Sequence, residues 1–332
     1  YNFLKSILYV YDYAGYFELS TNIISKLATF SPIFSDKIIT YLSSLIYLAI
    51  FSYIYFSKSL IFYNENYKIL IILLFLFSPP MTPEIWLNAL HIKAYFGIFT
   101  FILLLQDFKI LSEYKKIFYR FLIIFSGLSS IYSSIFAPIF FLRFFLQRNK
   151  DNLINFFCSL LPLIINIFLF LFSLNNSDRF SFGYGKIESF AYNILIRPFW
   201  GSSIPKFFYE KLNITNHYSI IIAIFLIIVA LLIIFYKIFK KKDDLLVIII
   251  ASFMLQSAFV LIGSLYPNFV GGRYAVIPGF ILLSLVIRLF QLEDNYKHKY
   301  FFGFLIFMSL ITGLLEFKYF SPLPNIIECT YQ

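Results

Sequence analysis

The chain has 332 residues, of which 60 % are hydrophobic and 13 % charged, with a formal net charge of +10. Runs such as Ile220–Tyr236 and Leu245–Ala258 carry no charge, which excludes an ordinary soluble domain and points to a polytopic membrane protein. The positive balance fits the positive-inside bias and contact with anionic lipid, and not nucleic acid.

The fold class expected is all-α. It is a polytopic membrane helical bundle of about ten spans, forming a single transmembrane domain over residues 1–332. The chain begins at Tyr1 without a visible signal peptide, which leaves room for an upstream piece. Residues 1–36 form an outer interfacial segment. Apolar and polar residues alternate at helical period from Tyr16 to Phe30, Asp12 precedes them and Pro32 ends them. This reads as a helix lying in the membrane interface, with Glu18 on its polar face.

Spans are expected at Lys37–Phe56, from Ile69 into the stretch that follows, and at Ile92–Leu105. Ile117–Leu146 is long for one helix, and its middle, GLSSIYSSIFAP, is rich in serine. It reads as two short spans joined near Ser130, with one kinked span as the alternative. Leu153–Leu174 follows. The segment 175–217 is the one long polar connection, an outer loop with Arg179 and Arg197. Loops of this length are functional or carry their own helices. Further spans are expected at Tyr218–Phe239, Leu245–Tyr266, Tyr274–Leu289 and Tyr300–Leu315.

Lysine and arginine set the orientation. Lys58, Lys68, Lys109, Arg143, Arg148, Lys150, Lys240, Arg288 and Lys297 fall in loops that alternate consistently only if 117–146 crosses twice. The opposite short loops hold little beyond Lys93, Arg273 and Lys318. This leaves 1–36, 80–92, 175–217, 267–273 and the tail on the outer side of a cell inner (cytoplasmic) membrane.

The unusual polar residues then gather on that outer side. In SPPMTPEIWLNALHIK (78–93), Glu84, Asn88 and His91 are spaced i, i+4, i+7 and share one helix face. Glu84 follows Pro83 in a first helical turn, where the helix dipole alone favours a carboxylate. Asn88 and His91 also suit backbone caps at an interface. Trp86 suits either an interfacial belt or a sugar platform. Asp12 starts the interfacial helix or acts as a general base toward an acceptor hydroxyl. Arg273, just after Gly271 and Gly272, pairs with phosphate or snorkels to headgroups. No phosphate loop, dinucleotide fingerprint or zinc-protease motif is present. Three scattered histidines and two distant cysteines, Cys158 and Cys329, argue against a metal site or a disulfide framework. No metal and no cofactor is expected.

This layout resembles the GT-C class of integral-membrane glycosyltransferases. The likeness rests on an acidic residue (Asp12) before an early interfacial helix, on PEIWLNALHIKAYFG at an outer helix end, and on SGLSSIYSSIFAP followed by FFLRFF. The adjacent carboxylate pair familiar in that class is absent, since Tyr13 follows Asp12, and the usual first span would lie before Tyr1. The resemblance implies transfer of a sugar from a polyprenyl-phosphate donor to a lipid, glycan or protein acceptor on the outer face. Asp12 would be the base and Arg273 would hold the donor phosphate. Glu84, Asn88 and His91 would line the sugar or acceptor pocket, with Arg179 and Arg197 as further substrate contacts from the loop. A surface-polysaccharide polymerase or flippase, whose large outer loop would use Arg179 and Arg197, and a non-catalytic assembly or transport subunit are the rival readings. Membrane lipid and the lipid-linked donor are the partners expected.

Overall fold

The structure, a computed structural model, describes residues 3–9, 16–77, 92–173, 194–195, 197–200, 243–262 and 275–317. Of these, 86 % are helical and none belongs to a strand. The helices are α1 (Phe3–Ile7), α2 (Leu19–Ala28), α3 (Ser35–Phe56), α4 (Glu65–Phe77), α5 (Ile92–Leu104), α6 (Glu113–Ser129), α7 (Ile131–Ser134), α8 (Ala137–Gln147), α9 (Lys150–Ser173), α10 (Arg197–Trp200), α11 (Asp244–Ile262), α12 (Val276–Leu292) and α13 (Tyr296–Phe317).

Four stretches among the described residues are long and apolar enough to cross a membrane: Pro32–Phe56, Lys150–Phe172, Asp244–Leu261 and Tyr296–Leu315. Shorter apolar helices at Ile92–Leu104, Ile131–Gln147 and Val276–Leu292 pack among them. The chain is a multi-pass helical membrane protein. The expected span at 218–239 lies outside the described residues.

The burial pattern is that of a bundle in lipid. The two short helices α5 and α12 form the core: every α5 residue but Lys93 is buried, as are most of α12. Around them, α3, α9 and α13 turn most of their apolar surface outward. Tyr41, Leu45 and Leu48 on α3 and Leu161, Ile164 and Phe168 on α9 are exposed. In water such surface would cost free energy roughly in proportion to its area. Lipid removes that cost, so these helices can be apolar all round.

Contacts fix the direction of each helix. Near its start α6 meets the start of α9 through Arg120–Asp151 (2.6 Å). Near its end, Asn166 of α9 donates to the Gly127 carbonyl (3.2 Å), so α6 and α9 run parallel. Helix α8 runs antiparallel to α9: Phe141 packs on Phe156 (5.1 Å between centroids), and Asn152 donates to Gln147 (3.2 Å). Residues 113–147 therefore form a hairpin. Its turn is at Ser130, where the backbone is extended (φ −154°, ψ 125°). With only 11 residues, α8 is about 16 Å long; the returning limb needs α7 and α8 together.

The charge-rich helix ends meet on one face. The Lys58 carbonyl accepts from Asp107 N (3.1 Å) and Gln106 Nε2 (2.8 Å). Arg143 donates to the Leu104 and Gln106 carbonyls at the end of α5. Lys116 and Arg120 share Asp151. Arg288 pairs with Asp243 (2.8 Å), and Gln291 donates to the Ile61 carbonyl (2.9 Å). Among the described helices, α3, α4, α5, α6, α8, α9, α11, α12 and α13 each have one end here, while the short α7 lies at the hairpin turn at the other end of the bundle.

Candidate functional site

At the opposite face, the segment before α2 turns into the bundle. Glu18 is the N-cap of α2, yet its carboxylate makes no capping bond. It reaches Lys93 at the start of α5 instead, at 2.9 Å, with the two side chains 7 % and 21 % exposed. Lys93 Nζ also donates to Tyr16 Oη at 2.8 Å. Burial holds the Tyr16 phenol above its ordinary value, with Lys93 pulling the other way. An ammonium bonded to a carboxylate and a phenol is a strongly satisfied charge at a depth where an isolated ion would be costly.

The surroundings hold this group in place. Ser130, at the hairpin turn, donates to the Lys93 carbonyl (2.7 Å). Asn166 accepts from Phe17 N (3.0 Å) while its amide donates to the Gly127 carbonyl and to Ser134 Oγ (both 3.2 Å). The residue preceding Glu18 is thereby tied to α9 and to both limbs of the hairpin. The tie depends on close approach of α6 to α9: a Cβ at Gly127 would lie 2.4 Å from Pro162 Cγ. Gln256 of α11 donates to the Tyr132 carbonyl (2.8 Å). Gln256 Oε1 and the hydroxyls of Ser129 and Ser133 are buried without a hydrogen-bond partner among the described residues. This end of the bundle keeps polar capacity that the described residues do not use.

The expectation that Glu18 sits on the polar face of an interfacial helix is corrected. Glu18 is buried, and so are Ser20, Thr21 and Asn22 of α2. On the inward side of α2, Asn22 donates to the Ile7 and Tyr9 carbonyls (2.9 and 2.7 Å), while the Ser20 hydroxyl is buried without a hydrogen-bond partner among the described residues. The Glu18–Lys93 pair was not singled out as a site from the sequence. Its one signal was a lone acid and a lone base flanking apolar stretches on the same predicted side.

Of the expected site residues, Asp12, Glu84, Asn88, His91, Arg179 and Arg273 lie outside the described residues, as does Trp86. Arg197 opens the short helix α10 and is half-buried. Helix α10 rests on the far end of α13, where Thr312 Oγ1 donates to the Phe199 carbonyl (3.2 Å) and Trp200 packs on Phe304. That end belongs to the same face as Glu18 and Lys93. Among the described residues no three His, Cys, Asp or Glu side chains converge as a metal site. No family model matches the chain, and comparison with curated proteins and with solved structures gives no match.

Proposed function

We propose that this protein is a membrane glycosyltransferase of the GT-C kind, moving a sugar from a polyprenyl-phosphate donor to a lipid, glycan or protein acceptor on the outer face. The observation that supports this reading is the Glu18–Lys93–Tyr16 group, placed at the end of the bundle opposite the Lys- and Arg-rich face. Transfer from a lipid phosphate leaves negative charge on the departing phosphate oxygen. A fixed cation in a poorly hydrated site stabilises that charge far more than water does. Lys93 is partly exposed and is the residue we assign to that task, together with Arg273.

Glu18 is nearly closed to solvent and its carboxylate is engaged by the Lys93 ammonium. We assign it to positioning Lys93. Asp12, six residues earlier, is the proposed base that takes the proton from the acceptor hydroxyl. Glu84, Asn88 and His91 would line the sugar or acceptor pocket, with Arg179 and Arg197 as further contacts from the loop.

Purified protein incubated with radiolabelled polyprenyl-phosphate sugars tests this. Transfer or donor hydrolysis is expected, and Lys93→Met should lower it by about 10²-fold or more, as for loss of one oxyanion-stabilising donor. An absence of both reactions with every carrier sugar tried would sink the reading. Full activity in Asp12→Asn would remove Asp12 as the base.

A further inference from the structure

The Lys- and Arg-rich face carries a pocket of about 330 Å³, independent of the site above, lined by Asp107, Lys109, Arg143, Gln147, Asn152 and Asp244 among others. It lies between the loop after α5, the α8–α9 corner and the first turn of α11. Its volume is at the lower end of the range of small-ligand sites.

Four of its lining residues are charged, two of each sign. Among the described residues, none of the four is within the 4.0 Å of an ion pair. Lys109 and Asp244 are exposed and Asp107 is half-buried, so water reaches these three; Arg143 alone is buried, with Asp107 acting on it electrostatically without an ion-pair contact. Arg143 is 3 % exposed. Its guanidinium donates to Gln147 Oε1 and to the Leu104 and Gln106 carbonyls. Those contacts take three of its five N–H groups and supply no counter-charge.

A simple anion would suit Arg143 and Lys109 but would meet Asp107 and Asp244. A simple cation would have the reverse difficulty. The ligand complementary to both pairs carries both signs a short distance apart. The pocket is at the helix ends, where headgroups of the surrounding bilayer lie. One of its walls belongs to α9, which turns most of its surface to lipid.

We propose that this pocket binds the zwitterionic phosphoethanolamine headgroup of a membrane lipid. The phosphate would bind Arg143 and Lys109, and the primary ammonium would donate to Asp107 and Asp244. A quaternary ammonium such as choline has no N–H to donate, so the site distinguishes the two headgroups.

The test uses the full chain, stripped of lipid in detergent, with dioleoyl-phosphatidylethanolamine, -phosphatidylglycerol and -phosphatidylcholine added in turn. Native mass spectrometry should retain one phosphatidylethanolamine, with a rise in melting temperature. The other two lipids should bind at least about tenfold more weakly. Lys109→Gln and Asp244→Asn should each weaken phosphatidylethanolamine binding about tenfold, as for loss of a charge-assisted hydrogen bond. Both side chains are exposed, so melting without lipid should not change and serves as the folding control. Equal binding of phosphatidylglycerol or phosphatidylcholine would overturn the assignment. So would unchanged binding in both variants, or a response to free phosphoethanolamine with none to the lipid.

Discussion

At the scale of single residues, the Glu18–Lys93 pair makes the sharpest prediction. Each partner leaves the other largely buried, so Glu18→Gln and Lys93→Met should each destabilise the protein, by about 3 kcal/mol. The double variant should lose clearly less than the sum, since the second change removes an already stranded charge. Chemical unfolding in detergent measures this, and strict additivity would show that the pair is not coupled. Tyr16 adds a pH dependence. Its native pKa is raised, chiefly by burial. Its contribution is therefore full below the unfolded value of about 10 and is lost as the pH rises through the native value. Tyr16→Phe should flatten that alkaline loss of stability. None of this was legible as a site in the sequence, because the partners are 75 positions apart. Helical periodicity reports which side of α2 is polar. It does not report whether that side meets water or a partner inside the bundle.

At the scale of elements, long apolar runs were readable and their edges nearly so. The expected span Lys37–Phe56 became Ser35–Phe56, whereas the apolar run Ile92–Leu105 became the 13-residue core helix Ile92–Leu104, shorter than the helices long enough to cross a membrane. The hairpin at Ser130 was readable too, from serine content and charge alternation together. What sequence could not reveal is how tightly its first limb meets α9. Gly127 is set against Pro162, whose ring is stiff and part of the helix, so a methyl there forces the two helices apart. Gly127→Ala should therefore destabilise by about 1–3 kcal/mol, although alanine is the better helix former by about 1 kcal/mol. At Gly97 the nearest atom, at 2.4 Å, is the tip of the Ile277 side chain, which can move. Gly97→Ala should accordingly cost less than Gly127→Ala. Thermal denaturation of the two variants side by side checks the order. Restoring room with Pro162→Ala should rescue Gly127→Ala and do nothing for Gly97→Ala.

At the scale of the whole molecule, the two faces of the bundle differ in charge. The physical argument for orientation is the count of lysine and arginine. Lys58, Lys109, Lys116, Arg120, Arg143, Arg148, Lys150, Arg288 and Lys297 lie at or near one face, against Lys5, Lys26, Lys37, the ion-paired Lys93 and Arg197 toward the other. A positively charged loop is retained on the cytoplasmic side during insertion, so the pocket lined by Arg143 should face inward and Glu18 outward. Two exposed positions report on the faces: Asn66 in the first turn of α4 and Thr29 just after α2. In a background where Cys158 and Cys329 are serine, Thr29→Cys should react with a membrane-impermeant maleimide added to intact cells. Asn66→Cys should react only after the membrane is opened. Labelling of Asn66→Cys from outside would reverse the orientation, placing the Glu18–Lys93 group in the cytoplasm. An outer-face transfer from a lipid-linked donor would then have no site at this end of the bundle, whereas the Gly127 and Glu18 stability predictions would stand unchanged.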